Sequence, residues 1–154
     1  MALLNWLRKV ILPALLGLSA GACDTGGSPG ERIAEELTGA VRSLAPGQTL
    51  AMTSINRGDW DTLFFFSPYT ANDTIEAALQ SKLPAEIERA RLHERDDIFL
   101  LVFVSKGEAR LVAAIPRGSV DFADEGAGRP LSRDAAIFRK TGQTSRLTWV
   151  AAAQ

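Results

Sequence analysis

Few residues in this chain have side chains able to do covalent or acid–base chemistry. There is one histidine, His93, and one cysteine, Cys23. His93 stands next to Glu94, Asp96 and Asp97, so an imidazole and three carboxylates share one short charged segment. An imidazole could serve as a general base toward a serine hydroxyl or a water, which is the chemistry of a hydrolase. A metal centre would need several His, Cys or carboxylate ligands at defined spacing, and no such spacing is present. The sequence also carries no glycine-rich phosphate loop and no Gly-x-Ser-x-Gly elbow. The residues therefore assign no catalytic group, no metal and no cofactor, and a hydrolase using His93 stands as the alternative reading.

Binding chemistry is better represented. Trp60, Tyr69, Arg117 and Asp121 all fall at the ends of expected strands, where aromatic rings and an arginine can anchor a partner. The plain alternative is that the two rings bracket a core strand while Arg117 pairs with Asp121. Arg57-Gly58-Asp59 matches an adhesion tripeptide, yet its residue types are equally those of a turn. The 17 basic and 18 acidic residues are interspersed and give a net charge of -1. That balance offers no basic stripe for nucleic acid.

Cys23 follows a segment with three parts: the basic pair Arg8-Lys9, the apolar run Val10 to Leu18, and the small residues Ser19-Ala20-Gly21-Ala22. A secretory leader has this order of charge, an apolar stretch of about 7 to 15 residues, and small residues for the peptidase. A membrane-spanning helix needs about 20 apolar residues, more than this run supplies. Leu18-Ser19-Ala20-Gly21-Ala22-Cys23 resembles the lipobox of bacterial lipoproteins, with Ala20 where that family usually has Leu. The resemblance implies cleavage before Cys23, after residues 1–22, and a diacylglyceryl group on its thiol. It also gives Asp24 the place of a residue associated with retention in the inner membrane. The expected address is the periplasmic face of the inner membrane, with the outer membrane as alternative. A sole cysteine used in this way leaves no free thiol in an oxidising compartment.

Loss of Arg8 and Lys9 with the leader would lower the net charge to -3. Residues 23–30 read as the lipidated cysteine and a small, polar tether, and 31–154 as one domain. Ser28, Pro29 and Glu31 form a capping-box pattern before a helix that places Ile33, Leu37, Val41 and Leu44 on one face and ends at Pro46-Gly47. Strands are expected over Thr49 to Ile55 and Trp60 to Phe66, paired with one another across the Asn56–Asp59 turn. Leu63-Phe64-Phe65-Phe66 is apolar on both faces, as a central strand should be.

A second helix, capped by Thr70 or Asn72, is expected to carry Ile75, Ala78 and Leu79 and to close at Pro84. Ala85 to Asp97 reads as irregular or as an edge strand. Ile98 to Val104 and Arg110 to Ile115 read as a hairpin about Ser105–Glu108, Ser119 to Pro130 as a polar loop, and Ala135 to Lys140 with Ser145 to Ala152 as a closing hairpin. The fold class is α+β: an antiparallel sheet of about five to six strands packed with two helices.

Asp59–Thr70, Leu100–Val104 and Pro116–Phe122 together resemble small exported bacterial proteins, a likeness that implies no activity. The functional expectation is a membrane-anchored periplasmic lipoprotein. Its domain would be a non-catalytic binding module for another envelope protein or a peptide.

Overall fold

A computed structural model describes residues 27–150. The expected leader and Cys23 lie outside them. Helix α1 (Pro29–Ser43) starts as its pattern requires: the Ser28 hydroxyl accepts from the Glu31 N–H at 3.2 Å, and the Glu31 carboxylate accepts from the Ser28 N–H at 2.5 Å. Arg32 reaches back to donate to the Gly27 carbonyl at 2.5 Å. The last part of the stretch read as tether thus doubles as the helix start, with Ser28 as N-cap and Pro29 as the first helical residue. Ile33, Leu37 and Val41 are buried, and the helix ends at Ser43, just ahead of Pro46-Gly47.

The first strand pair departs from expectation. Strand β1 covers only Thr49–Ala51, and the chain then makes one helical turn, α2 (Met52–Ile55), closed by the Ser54 hydroxyl donating to the Ala51 carbonyl at 2.7 Å. Strand β2 (Thr62–Phe66) does not pair with β1; the two lie in different sheets. The residue types of Thr49–Ile55 are strand-like, but Met52 and Ile55 reach the core from a helical turn, and tertiary burial outweighs local propensity there.

Helix α3 (Asn72–Leu79) buries Ile75 and is closed by Gln80 in the left-handed region, before Pro84. Neither Thr70 nor Asn72 caps it by a side chain; the N-cap position is Ala71. Ala85 to Asp97 is not an edge strand. It forms α4 (Ala85–Ala90) and a 3-10 turn (Leu92–Glu94) joined at Arg91, with Ile87 and Leu92 buried. Pro84 opens α4 instead of merely closing α3, and Glu86 and Glu88 lie in its first turn, where the helix dipole favours them.

Strands β3 (Ile98–Ser105) and β4 (Glu108–Pro116) form the expected hairpin. Lys106 and Gly107 both have positive φ, 53° and 77°, the mirror-image turn whose twist suits a two-residue hairpin. The remaining strands are β5 (Asp121–Phe122), β6 (Leu131–Ser132), β7 (Ile137–Lys140) and β8 (Arg146–Trp149). The Ser119–Pro130 stretch therefore carries a short strand, anchored by buried Val120, Phe122 and Ala123.

The class is α+β, but among the described residues the single sheet with two helices becomes two four-stranded sheets with four α-helices. One sheet runs β1-β7-β8-β5, with β5 parallel to β8; the other runs β4-β3-β2-β6, antiparallel throughout. The second sheet is apolar on both faces. Leu63, Phe65, Phe99, Leu101 and Phe103 pack with α1 and the first sheet, whereas Phe64, Phe66, Leu100 and Val102 pack with Ile75, Ile87 and Leu92. That double burial is what the continuous apolar runs in β2 and β3 encode.

Two contacts fix α1. Lys140, 8 % exposed, crosses from β7 and donates to the Val41 carbonyl at 2.9 Å and the Leu44 carbonyl at 2.8 Å, the free acceptors at the helix C-terminus. At the other end Gly30 lies so close to β4 that a Cβ there would sit 2.3 Å from the Val112 carbonyl oxygen. The start of α1 thereby covers part of an edge strand that would otherwise invite a new partner strand.

Candidate functional site

The end of the second sheet where β2 finishes, β3 begins and β4 finishes carries most of the residues singled out by sequence. Tyr69 sits just past β2 in a tight turn, with φ 63°. A tyrosine in the left-handed region is held against a cost of order 1 kcal/mol. What holds it is its own N–H, shared between the Leu92 carbonyl at 3.0 Å and the Arg95 carbonyl at 3.1 Å. The Thr70 hydroxyl donates to the Ser67 carbonyl at 2.6 Å and tightens the same turn. The ring is not used for packing: Tyr69 is 63 % exposed, the large apolar side chain left outside among the described residues. Three residues on, Asn72 Oδ1 is buried without a hydrogen-bond partner among the described residues, a second local cost in the same segment.

From Tyr69 a run of polar contacts crosses the rim. Arg95 grips Asp97 with two bonds, 2.7 Å and 2.5 Å, and the Asp97 carbonyl accepts from the Arg117 N–H at 2.8 Å. Arg117 Nε donates to Asp121 Oδ1 at 3.2 Å while its guanidinium lies 5.9 Å from the Phe99 ring centre. Asp121 also takes Arg146 Nη1 on Oδ2 at 2.8 Å. Ser67 Oγ donates to Asp124 Oδ1 at 2.8 Å and joins the end of β2 to the loop after β5. Tyr69, Arg117 and Asp121 thus lie at the same end of the second sheet, with Arg95, Asp97 and Arg146 beside them. Sequence reading did not join these three to the rim: Arg95 and Asp97 lie in a loop without a periodic signal, and Arg146 opens β8, which meets Asp121 only through a parallel pairing of strands distant in sequence.

Trp60 is not part of that rim. It lies at the opposite end of β2, 2 % exposed, edge-on to Phe103 at 5.2 Å, with its indole N–H donated to the Asn56 carbonyl at 2.8 Å. Arg133 lies 4.8 Å from its ring centre and donates to the Gly58 and Trp60 carbonyls, both at 2.9 Å. Trp60 is a packing residue, and Arg57-Gly58-Asp59 is a turn tied down by Arg133.

His93 is on the exposed 3-10 turn, its Nε2 3.2 Å from Glu94. Arg91 pairs with the same carboxylate and holds it below the usual carboxylate range, with His93 adding to the effect. Arg95 likewise lowers Asp97 and is itself raised. Among the described residues no serine, threonine or cysteine hydrogen-bonds to His93, so the nucleophile–base contact of a hydrolase is not formed there. Three shallow concavities of about 340, 400 and 240 Å³ lie elsewhere, and His93 lines none of these three. Among the described residues no group of three or more His, Cys, Asp or Glu side chains is placed to hold a metal ion, and no helix is long and apolar enough to cross a membrane.

The site is therefore a surface: an exposed aromatic ring on a strained, pinned turn, beside a row of paired charges. Comparison with known proteins finds no matching family model, no matching curated sequence and no matching solved structure.

Proposed function

We propose that this protein is a lipid-anchored lipoprotein of the bacterial envelope, held through Cys23 at the periplasmic face of the inner membrane. Its α+β domain is a non-catalytic module that docks another envelope protein or a peptide on the rim of Tyr69, Arg117 and Asp121. The observation that carries the binding role is Tyr69. Its ring is 63 % exposed on a turn held at positive φ by backbone hydrogen bonds, which leaves it available as an aromatic anchor for a partner. The paired arginines and carboxylates around it are already ordered, which lowers the entropy lost on docking. The alternative, a hydrolase using His93, has less support, because that imidazole faces a glutamate and no nucleophile.

The test is a photo-crosslinking amino acid placed at position 69, and separately at Gln80 on the far side of α3, in cells producing the full-length protein. A discrete adduct from position 69 that is lost on adding Arg117→Glu, with none from position 80, is the expected result. Equal labelling from both positions would remove the rim from the account.

A further inference from the structure

Asp121 opens β5 and Arg146 opens β8, and the parallel pairing of these strands sets the two opposite one another, with the Asp121 N–H donating to the Ser145 carbonyl at 3.2 Å. Arg117 arrives from the other sheet, just past the end of β4, in a turn closed by the Ser119 and Val120 N–H groups on the Pro116 carbonyl at 2.9 Å and 3.1 Å. The Asp121 carboxylate therefore takes two guanidiniums, Arg117 Nε on Oδ1 and Arg146 Nη1 on Oδ2. Its side chain is 23 % exposed, whereas those of Arg117 and Arg146 are 51 % and 48 % exposed, so the anion lies beneath and the cations face solvent. Elsewhere Arg89–Glu86, Arg95–Asp97 and Arg110–Glu108 each match one guanidinium to one carboxylate two or three residues away. At Asp121, elements of both sheets build a cluster with one positive charge in excess.

We propose that the Arg117–Asp121–Arg146 cluster receives a carboxylate of the docked partner, which is an acidic peptide segment. The proposal deepens the rim-docking reading and rests on it. A guanidinium has five N–H donors, and each of these two side chains gives one to Asp121 and none to any other acceptor among the described residues. The remaining donors can take a carboxylate in the paired-bond geometry that the two groups share. Asp121 holds both cations near one another and offsets part of their repulsion, and Phe99, its ring centre 5.9 Å from the Arg117 guanidinium, favours that placement. The Asp97 and Asp124 carboxylates at this end are occupied by Arg95 and Ser67. The Tyr69 and Arg117 N–H groups go to carbonyls two residues apart, those of Arg95 and Asp97, so no more than about 13 Å separates the two backbone nitrogens. A partner segment of about four extended residues spans that distance.

The full-length protein, isotopically labelled at nitrogen and held in detergent micelles, is titrated at constant ionic strength with the capped acidic tetrapeptide Asp-Glu-Asp-Glu, with its amide counterpart Asn-Gln-Asn-Gln, and with inorganic phosphate, while the arginine Nε–H resonances are followed by NMR. The acidic peptide should move Arg117 and Arg146 together to saturation and leave Arg89 and Arg110 in place, and the amide peptide should move none of them. No movement at Arg117 and Arg146, equal movement with the amide peptide, or equal movement at Arg89 and Arg110 overturns the cluster as a carboxylate site. Saturation by phosphate at lower concentration than by the acidic peptide overturns the choice of a peptide. In cells, the adduct from the crosslinker at position 69 should fall at least tenfold when Arg146→Gln is added and persist with Arg89→Gln. An adduct of undiminished strength with Arg146→Gln overturns the cluster and spares the rim. Absence of any adduct from position 69 without a second substitution sinks the rim reading itself, a result separate from the titration. The titration uses the unsubstituted chain, so a fold lost through Arg146→Gln cannot mimic its outcome.

Discussion

Replacing Lys140 by methionine removes an ammonium and keeps an unbranched chain of similar length. In the native fold that ammonium makes two bonds, at 2.9 Å and 2.8 Å, to the Val41 and Leu44 carbonyls. Losing the donor leaves carbonyls facing an apolar methyl group in a largely buried place, at about 1–3 kcal/mol for each acceptor left unpaired. The charge at the helix C-terminus adds about 0.3–1 kcal/mol. Against these stands the desolvation that the native ammonium already bears, which the variant escapes. The expected net loss is about 2–3 kcal/mol, from the lower half of the summed range. With a urea dependence of about 1–3 kcal/mol per molar for a domain of this size, the midpoint should fall by about 1–2 M with the slope unchanged. Equilibrium urea unfolding followed by tryptophan emission reads this, since Trp60 is buried and Trp149 partly so. Arg139→Met, next door and exposed, is the control and should stay within about 0.5 kcal/mol. If Lys140→Met unfolds at the wild-type midpoint, the buried lysine does not tie α1 to the first sheet, and the reasoning is wrong.

Two glycines of α1 should respond to alanine with opposite sign. Gly30→Ala meets the Val112 carbonyl at 2.3 Å and should destabilise by about 1–3 kcal/mol, whereas Gly39→Ala has open space and should stabilise by about 0.5–1 kcal/mol, both measurable as urea midpoints. Tyr69→Gly should leave the thermal midpoint unchanged or raise it, because it relieves a positive φ without opening the core; a large drop would mean that the ring packs after all. Asp61 is held below the usual carboxylate range by the Lys106 N–H and then by the Thr62 hydroxyl. Its ionised form therefore favours the fold above the normal carboxylate range, and that contribution disappears as pH falls through the lowered value. Asp61→Asn should show a shallower loss of stability than wild type between about pH 5 and pH 2, and an unchanged acid slope would refute this role.

How legible this fold was depended on whether a pattern was local. The capping box at Ser28 and Glu31, the Lys106-Gly107 hairpin and the doubly apolar β2 and β3 are settled by neighbours in sequence, and the structure forms each of them. The pairing of β1 with β7 instead of β2 is a contact across the whole chain, and nothing in Thr49–Ala51 encodes it. Ala85 to Asp97 misled because Ile87 and Leu92 satisfy neither a clean helical stripe nor a clean alternation. Two short helical pieces joined by Arg91 at φ 51° break the period midway. At the rim, Arg117 with Asp121 could be anticipated from their spacing in one turn. The junction of Tyr69 with Leu92 and Arg95 is a tertiary hydrogen bond with no sequence signature. Trp60 looked like its companion because both rings flank one strand; only the packing against Phe103 and Arg133 separates them.

The claim that the chain is a lipid-anchored envelope module meets its most direct test at Cys23. Intact-mass and N-terminal peptide measurements on the membrane fraction, for wild type and Cys23→Ser, should find a wild-type chain that begins at residue 23 and carries acyl mass, and a variant with none. A wild-type N-terminus that begins elsewhere, or begins at Cys23 without acyl mass, would contradict the account.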